Sequence, residues 1–316
     1  MRLREAPGQL HSGMRWRCHF VVWGAALQLA AQSGGAQGVP ARDLWDFPLG
    51  TLAEAPPFAG AVAGGLFNAA GPLAAGRPAG RALLGVTALS ASADQGVEGQ
   101  LAHATWFSSA NSAVTFSMAR SAVGGIVRTA TDPQGLGSVA YQSWVSSLSI
   151  AQADSRHLVV GAAARYRTGR ADEETGRSIA ADVGVVVQHL RPFDLRLGAA
   201  TFLWRPGREI EDRSGASLAA DARLVGRHDR RGLRVGYSSQ WSRRGATEGF
   251  LFARSRFDVV ELLGGTVRTQ RFGERNTRAR FGLTFHFARY SAGIAREDGA
   301  SRLAPTYQFS LTSLIP

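Results

Sequence analysis

Lysine is absent from this chain of 316 residues, so all 36 basic side chains are arginine, and cysteine occurs once, at Cys18. One thiol excludes an intrachain disulfide. Its place near the amino terminus leaves the rest of the chain without a cysteine nucleophile or a thiolate for a metal. Past residue 40 there is no run of 18 or more apolar residues, which excludes ordinary membrane-spanning helices. That absence says nothing against a barrel, whose strands hide their apolar character in alternation.

Chemical motifs are scarce as well. The seven histidines (His11, His19, His103, His157, His189, His228 and His286) stand singly, and none belongs to an HExxH pair. No GxSxG elbow and no P-loop occurs. The run Gly135-Leu136-Gly137-Ser138-Val139-Ala140 faintly echoes a dinucleotide fingerprint, but it follows Asp132-Pro133 and reads as a surface turn. No catalytic residue, metal or cofactor is therefore expected. An outer-membrane lipid hydrolase would have to use His286 or His103 with one of many serines, which is a weak signal.

The net charge of +12 invites a nucleic-acid reading. That reading needs a contiguous basic face with aromatics interleaved for stacking. Here the arginines are scattered, with clusters at Arg227-His228-Asp229-Arg230-Arg231 and Arg243-Arg244 that read as loops. Solvated loops near anionic lipid head groups suit this distribution, and no nucleic-acid partner is expected.

Residues 1–36 read as an export signal. Arg15 and Arg17 form a basic start, Cys18 to Ala31 an apolar stretch, and Gly34 and Ala36 the small residues that a signal peptidase accepts. Cleavage is expected after Ala36, with Ala31 as the alternative, and Met14 offers a second start. Residues 37–80 follow as a segment rich in alanine, glycine and proline, including LAEAPPFAGAVAGGLFNAAGPLAAGRPAG from Leu52 to Gly80. Such small side chains pack closely but bury little area, so the segment must lean on something larger. It is expected to be a plug or periplasmic segment, with Gly64, Gly65, Phe67, Asn68, Gly71 and Pro72 as candidate plug or gate residues. The alternative is a linker.

Residues 81–316 change character, to about fifteen strand-length segments separated by turns, with 111–119 and 122–129 taken as separate strands. In RFGLTFHF, Phe281, Leu283, Phe285 and Phe287 alternate with Gly282, Thr284 and His286, so one face is apolar and the other small or polar. Phe193, Leu195, Leu197 and Ala199 against Asp194, Arg196, Gly198 and Ala200, Val114, Phe116 and Met118 against Thr115 and Ser117, and Leu233, Val235 and Tyr237 against Arg234, Gly236 and Ser238 repeat it, with charge among the polar positions. A soluble sandwich alternates in the same way with its apolar face inward. Strands of about 10 residues in this number instead suit tilted crossings of a bilayer. The expected fold is all-β, a closed antiparallel transmembrane β-barrel of roughly 14 strands, since single-chain barrels use even numbers. A soluble periplasmic or cell-surface β-sandwich binding protein is the alternative. Asp182 and His286 are expected to face the lumen, Asp182 paired with an arginine from a neighbouring strand. Gly124, Gly125, Gly161, Gly198, Gly264 and Gly265 are expected to permit bends, bulges and close approach by an internal segment.

Three stretches together resemble the PorV/PorQ family of outer-membrane proteins, whose barrels are related in shape to the FadL transporters. Gly65-Leu66-Phe67-Asn68-Ala69-Ala70-Gly71-Pro72-Leu73 is similar to the family's amino-terminal aromatic, Asn-Pro-Ala-Gly-Leu segment. Val160 to Tyr166 followed by Ala180-Ala181-Asp182-Val183-Gly184-Val185 is similar to a strand pair with an Ala-x-Asp-hydrophobic-Gly signature, and Tyr290 to Leu311 to a closing hairpin. Two departures stand out. Ala69 replaces a proline that reappears at Pro72, and the chain closes on Leu314-Ile315-Pro316 without a terminal aromatic. The resemblance implies a fourteen-stranded barrel with the amino-terminal segment in or against the lumen, and an outer-membrane location. The expected partners are outer-membrane lipid and either a hydrophobic small molecule or an exported protein, because the family includes a secretion shuttle and the FadL relatives move hydrophobic molecules.

Overall fold

The computed structural model describes residues 39–41, 44–45, 49–76, 81–91, 96–127, 137–203, 215–228, 231–242, 247–271, 274–299 and 304–316. The expected signal segment with Cys18, Gly135-Leu136, Asp229-Arg230 and Arg243-Arg244 lie outside these residues.

Along Val97–Ser109 burial alternates residue by residue, buried at Leu101, His103 and Thr105, exposed at Ala102, Ala104 and Trp106. The alternation has an unusual sign. The outward positions carry large apolar groups, with Phe281 at 55% exposure and Phe116, Leu148, Leu251 and Phe309 close to it. The inward positions carry Thr105, Ser117, Ser143, Ser147 and Gln308, and the bulkiest fully buried side chains are Arg165, Arg167 and Arg280. In water such a surface would be untenable, because charged groups are almost never fully buried unless paired and wide apolar patches drive association. In hydrocarbon it is the stable arrangement.

The strands are β1 (Ala82–Ala91), β2 (Val97–Ser109), β3 (Ser112–Val123), β4 (Tyr141–Ala153), β5 (Leu158–Ala171), β6 (Glu174–Leu190) and β7 (Leu195–Phe202), then β8 (Gly215–His228), β9 (Arg231–Ser242), β10 (Thr247–Phe257), β11 (Val260–Arg271), β12 (Glu274–Phe287), β13 (Tyr290–Glu297) and β14 (Thr306–Ile315). Each pairs antiparallel with its chain neighbour, and β1 closes on β14 from Ala82 opposite Ile315 to Ala91 opposite Thr306. The closed fourteen-stranded barrel expected from the sequence is thus present. Closure leaves no sheet edge, which is the condition for a sheet to exist in lipid. It also overturns the sandwich alternative, since one sheet curls on itself with its apolar side chains outside.

The fifteenth expected segment, 122–129, is not a separate strand. β3 runs through to Val123, then Gly124 and Gly125 turn the chain away, Gly125 at φ +75°, and only an isolated bridge between Val127 and Ser138 follows. These two glycines therefore belong to a connection and not to a strand interior.

The ends of the barrel differ. Connections after β2, β4, β6, β8, β10 and β12 are short, two residues at 258–259 and 288–289, whereas the longest ones, 124–140 and 203–214, join strands whose linked ends lie at the opposite end. Barrels of this kind keep short turns on the periplasmic side and long loops outside the cell. Trp106, Phe257, Phe287 and Tyr290 stand outward at the short-turn end, and Trp144 and Trp241 at the other, as aromatic girdles at two interfaces do.

Candidate functional site

The functional side chains are the inward positions of the strands and the residues they touch. The segment before β1 lies on this inner side. Trp45 Nε1 donates to Ser143 Oγ on β4 (2.9 Å), and Gly50 N and Leu52 N both donate to Gln308 Oε1 on β14 (2.9 and 3.2 Å). Arg254 of β10 holds Glu54 at 2.8 Å, Thr87 of β1 donates to Val62 O at 3.2 Å, and Arg165 of β5 donates to Gly65 O at 3.0 Å. Partners spread over β1, β4, β5, β10 and β14 can surround one segment only from within the ring. Along this segment the chain forms a 3-10 turn at Pro56–Phe58 and two short helices, Gly60–Ala63 and, past the last anchor, Gly71–Ala75.

Small residues let it approach the wall. A Cβ at Gly161 on β5 would lie 2.5 Å from Ala69 C and Ala70 N, and one at Gly198 on β7 would lie 2.7 Å from Pro57 Cβ. Of the candidates named from sequence, Gly64 has φ +57° and sits against His103 of β2, while Gly65 sits against Ser149 of β4. Phe67 stacks on Phe202 of β7 at 5.1 Å between ring centres. Buried Asn68 donates from Nδ2 to Pro57 O (2.8 Å) and accepts at Oδ1 from Ala70 N (2.9 Å), which shapes the turn without a proline at 69. Gly71 packs against Gly60, and Pro72 opens the helix Gly71–Ala75, where its missing N–H costs nothing.

Asp182 on β6 is buried and ion-paired with Arg165 on adjacent β5, and its carboxylate also accepts from Leu203 N at 3.0 Å. His286 on β12 points inward near the short-turn end, its Nδ1 2.9 Å from Ser291 Oγ and its Nε2 3.6 Å from Glu261. These two candidates belong to different clusters. His286 and His103 lie on strands separated by β13, β14 and β1, so they do not form one site.

The inner wall carries more charge than the alternation of the sequence had assigned to it at Arg196, Arg234 and the arginine expected beside Asp182. Arg165, Arg196, Arg223, Arg234, Arg254, Arg278 and Arg280 all lie within strands on the inner face, each engaged with a carboxylate. The inward phase of the alternation was the signal that could have found them. One network joins Arg196 and Arg234 to Asp221, then Arg234 and Arg223 to Asp194 (2.9 and 2.8 Å). Another joins Arg278 and Arg280 to Glu297 and Glu248. In both networks Asp194, Asp221, Glu248 and Glu297 are paired with arginine, as buried charges require. In the turn before β7, burial acts to raise the Asp194 carboxyl, but hydrogen bonds from Arg234 and His189 and the charge of Arg223 outweigh it and hold Asp194 below the usual range. No group of three or more candidate metal ligands occurs among the described residues.

The closed fourteen-stranded barrel resembles solved outer-membrane channels in fold. No protein-family model and no curated protein sequence matches the chain. Among solved structures it is similar to CymD, a monoaromatic hydrocarbon channel, with a TM-score of 0.54 at 10% identity over 88% of this chain and 97% of that one. The Ralstonia pickettii toluene transporter TbuX gives 0.51 at 11% identity over 82% and 96%. A Pseudomonas aeruginosa FadL homologue gives 0.50 at 11% identity over 89% and 98%. Such low identities carry the fold and leave the ligand to be argued from residues.

Proposed function

We propose that this protein is a non-enzymatic outer-membrane barrel that passes a hydrophobic small molecule, with residues 37–80 as a luminal plug and residues 1–36 as a cleaved export signal. The observation behind this reading is the belt of contacts that ties residues 45–65 to strands on every side of the lumen. A segment so held blocks free passage of water and ions. Its apolar side chains Leu52, Leu66 and Phe67 cluster with Leu101 and Phe202, so the luminal surroundings suit an oily ligand better than an ion. The three named structural neighbours carry or channel aromatic hydrocarbons or belong to the FadL group, which supports the same ligand class.

Planar-bilayer conductance tests the plug. The full chain is expected to conduct poorly, and deletion of residues 49–75 to give a stable conductance several-fold larger. Equal conductance of the two, with both barrels folded, would overturn it. Uptake of toluene by cells expressing the full chain, compared with cells lacking it, tests the ligand class. A second reading, docking of an exported protein in the manner of the PorV/PorQ family, draws on the three sequence segments that resemble it. Recovery of an exported protein with the detergent-extracted barrel from secreting cells would favour that reading over hydrocarbon passage.

A further inference from the structure

The lipid-facing wall is not uniform. Across β10 to β14 it carries a groove of about 600 Å³ lined by Leu262, Phe281, Leu283 and Ile294, with Arg296 and Tyr307 at its margin. The hollow follows from the sequence. Gly264 occupies an outward position on β11 and fills none of it, and a Cβ there would meet nothing nearer than Phe281 Cδ1 at 3.9 Å. Gly282 and Ala295, inward on the next strands, contribute only thin backbone to the floor.

Charge stands beside this hollow. Arg296 is directly across from Phe281 in the β12–β13 register. Its guanidinium lies 5.9 Å from the Tyr307 ring, touches Asp298 at 3.1 Å and is still 51% exposed. Farther along β11 and β12, toward the long-loop end, exposed Arg268 and Arg275 face the same way, opposite Thr277 and Gln270. An arginine held against hydrocarbon costs about 2–4 kcal/mol at the bilayer midplane and little near the interface. The three outward guanidinium groups therefore mark the approach to the outer leaflet's head groups, with Arg296 deepest and Arg268 and Arg275 farther out along β11 and β12. A planar fork with several N–H donors suits phosphate better than any neutral head group.

We propose that the groove holds one acyl chain of a phosphorylated, multiply acylated glycolipid of the outer leaflet, whose phosphate is bound by Arg296, with Arg268 and Arg275 as the outer contacts. The apolar walls select a hydrocarbon chain, the arginines select an anion, and only a lipid of the surrounding leaflet offers both at this depth. The site lies outside the lumen and does not depend on what the barrel transports.

Native mass spectrometry of the detergent-solubilised full chain, titrated with bis-phosphorylated hexa-acyl lipid A and with its dephosphorylated form, tests this. The wild type is expected to retain one phosphorylated lipid and to bind the dephosphorylated form about tenfold more weakly, the loss of one charge-assisted contact. Arg296→Gln should lose a similar factor. Gly264→Leu should too, since it fills the hollow without touching backbone. A heat-dependent shift in electrophoretic mobility establishes that each variant is folded. Unchanged binding by either variant, or equal binding of the two lipids, would overturn the proposal. Sensitivity to Gly264→Leu alone would make the groove a site for neutral hydrocarbon, and sensitivity to Arg296→Gln alone would leave the chain outside it.

Discussion

Gly161 and Gly264 are both glycines within strands, and they face opposite sides of the wall. Gly161 looks inward onto the backbone at Ala69 and Ala70, which cannot swing aside as a long side chain would. Gly161→Val is therefore expected to leave the barrel folded but to displace the luminal segment. Limited proteolysis should then cut between residues 49 and 75 faster than in wild type. Asn68→Ala removes both hydrogen bonds that shape the turn, and leaves Pro57 O and Ala70 N to find others. Its expected cost is about 1–3 kcal/mol, read as a lower melting temperature in detergent. Asp194 predicts an acid response. Its carboxyl is held below the usual range in the folded protein, so its contribution to stability is intact above the ordinary aspartate pKa and is lost as pH falls through the lowered folded value. Melting measured from pH 6 downward should show a decline below about pH 4 that is smaller in Asp194→Asn. Asp182 takes the inward phase of β6 with Ala180 and Gly184, which local alternation expresses. The Glu54–Arg254 pair was not legible in the sequence, since 200 positions separate the partners and only closure of the ring brings them together.

Among the strands, legibility followed the outward face. Phe281, Phe285 and Phe287 keep a strict period of two, and the rings of Phe285 and Phe287 stack at 6.0 Å on the lipid side. A charge on that face is penalised by depth, so Leu148→Arg, on the outward face midway along β4, should cost about 2–4 kcal/mol. The yield of heat-shifted barrel should fall accordingly, whereas Ser117→Thr on the inner face should change it little. The overcount at 122–129 arose where alternation continued past the strand's true end. Val123, Ile126 and Val127 are apolar enough to prolong the pattern, but Gly125 at positive φ takes the backbone out of register. Most of the other luminal arginines went unread for the opposite reason. Charge in a sequence suggests solvent, and only pairing across strands shows that Arg165, Arg234 and Arg280 are neutralised beneath the surface.

For the molecule as a whole, ring closure is the property on which the others rest. β1 and β14 meet over ten paired positions, and removing β14 would expose two long edges at once. A chain ending at residue 304 is expected to aggregate on refolding into detergent, while the full chain should give a compact band that shifts on heating. The ring also explains why the barrel could be read from the sequence and its contents could not. A closed sheet needs only local alternation and turns, whereas the seating of residues 45–75 depends on side chains drawn from almost every strand.

The seam between β1 and β14 is itself a grip on those contents. Thr87, on one side of it, holds Val62, while Gln308, on the other, holds Gly50 and Leu52. Because the segment precedes β1 in the chain, it is made before any of the wall and can be enclosed only when the last strand meets the first. Its own amides are among the groups that the final strand must satisfy. In the closed ring the last strand, through Gln308, thus both seals the wall and fastens the segment it encloses.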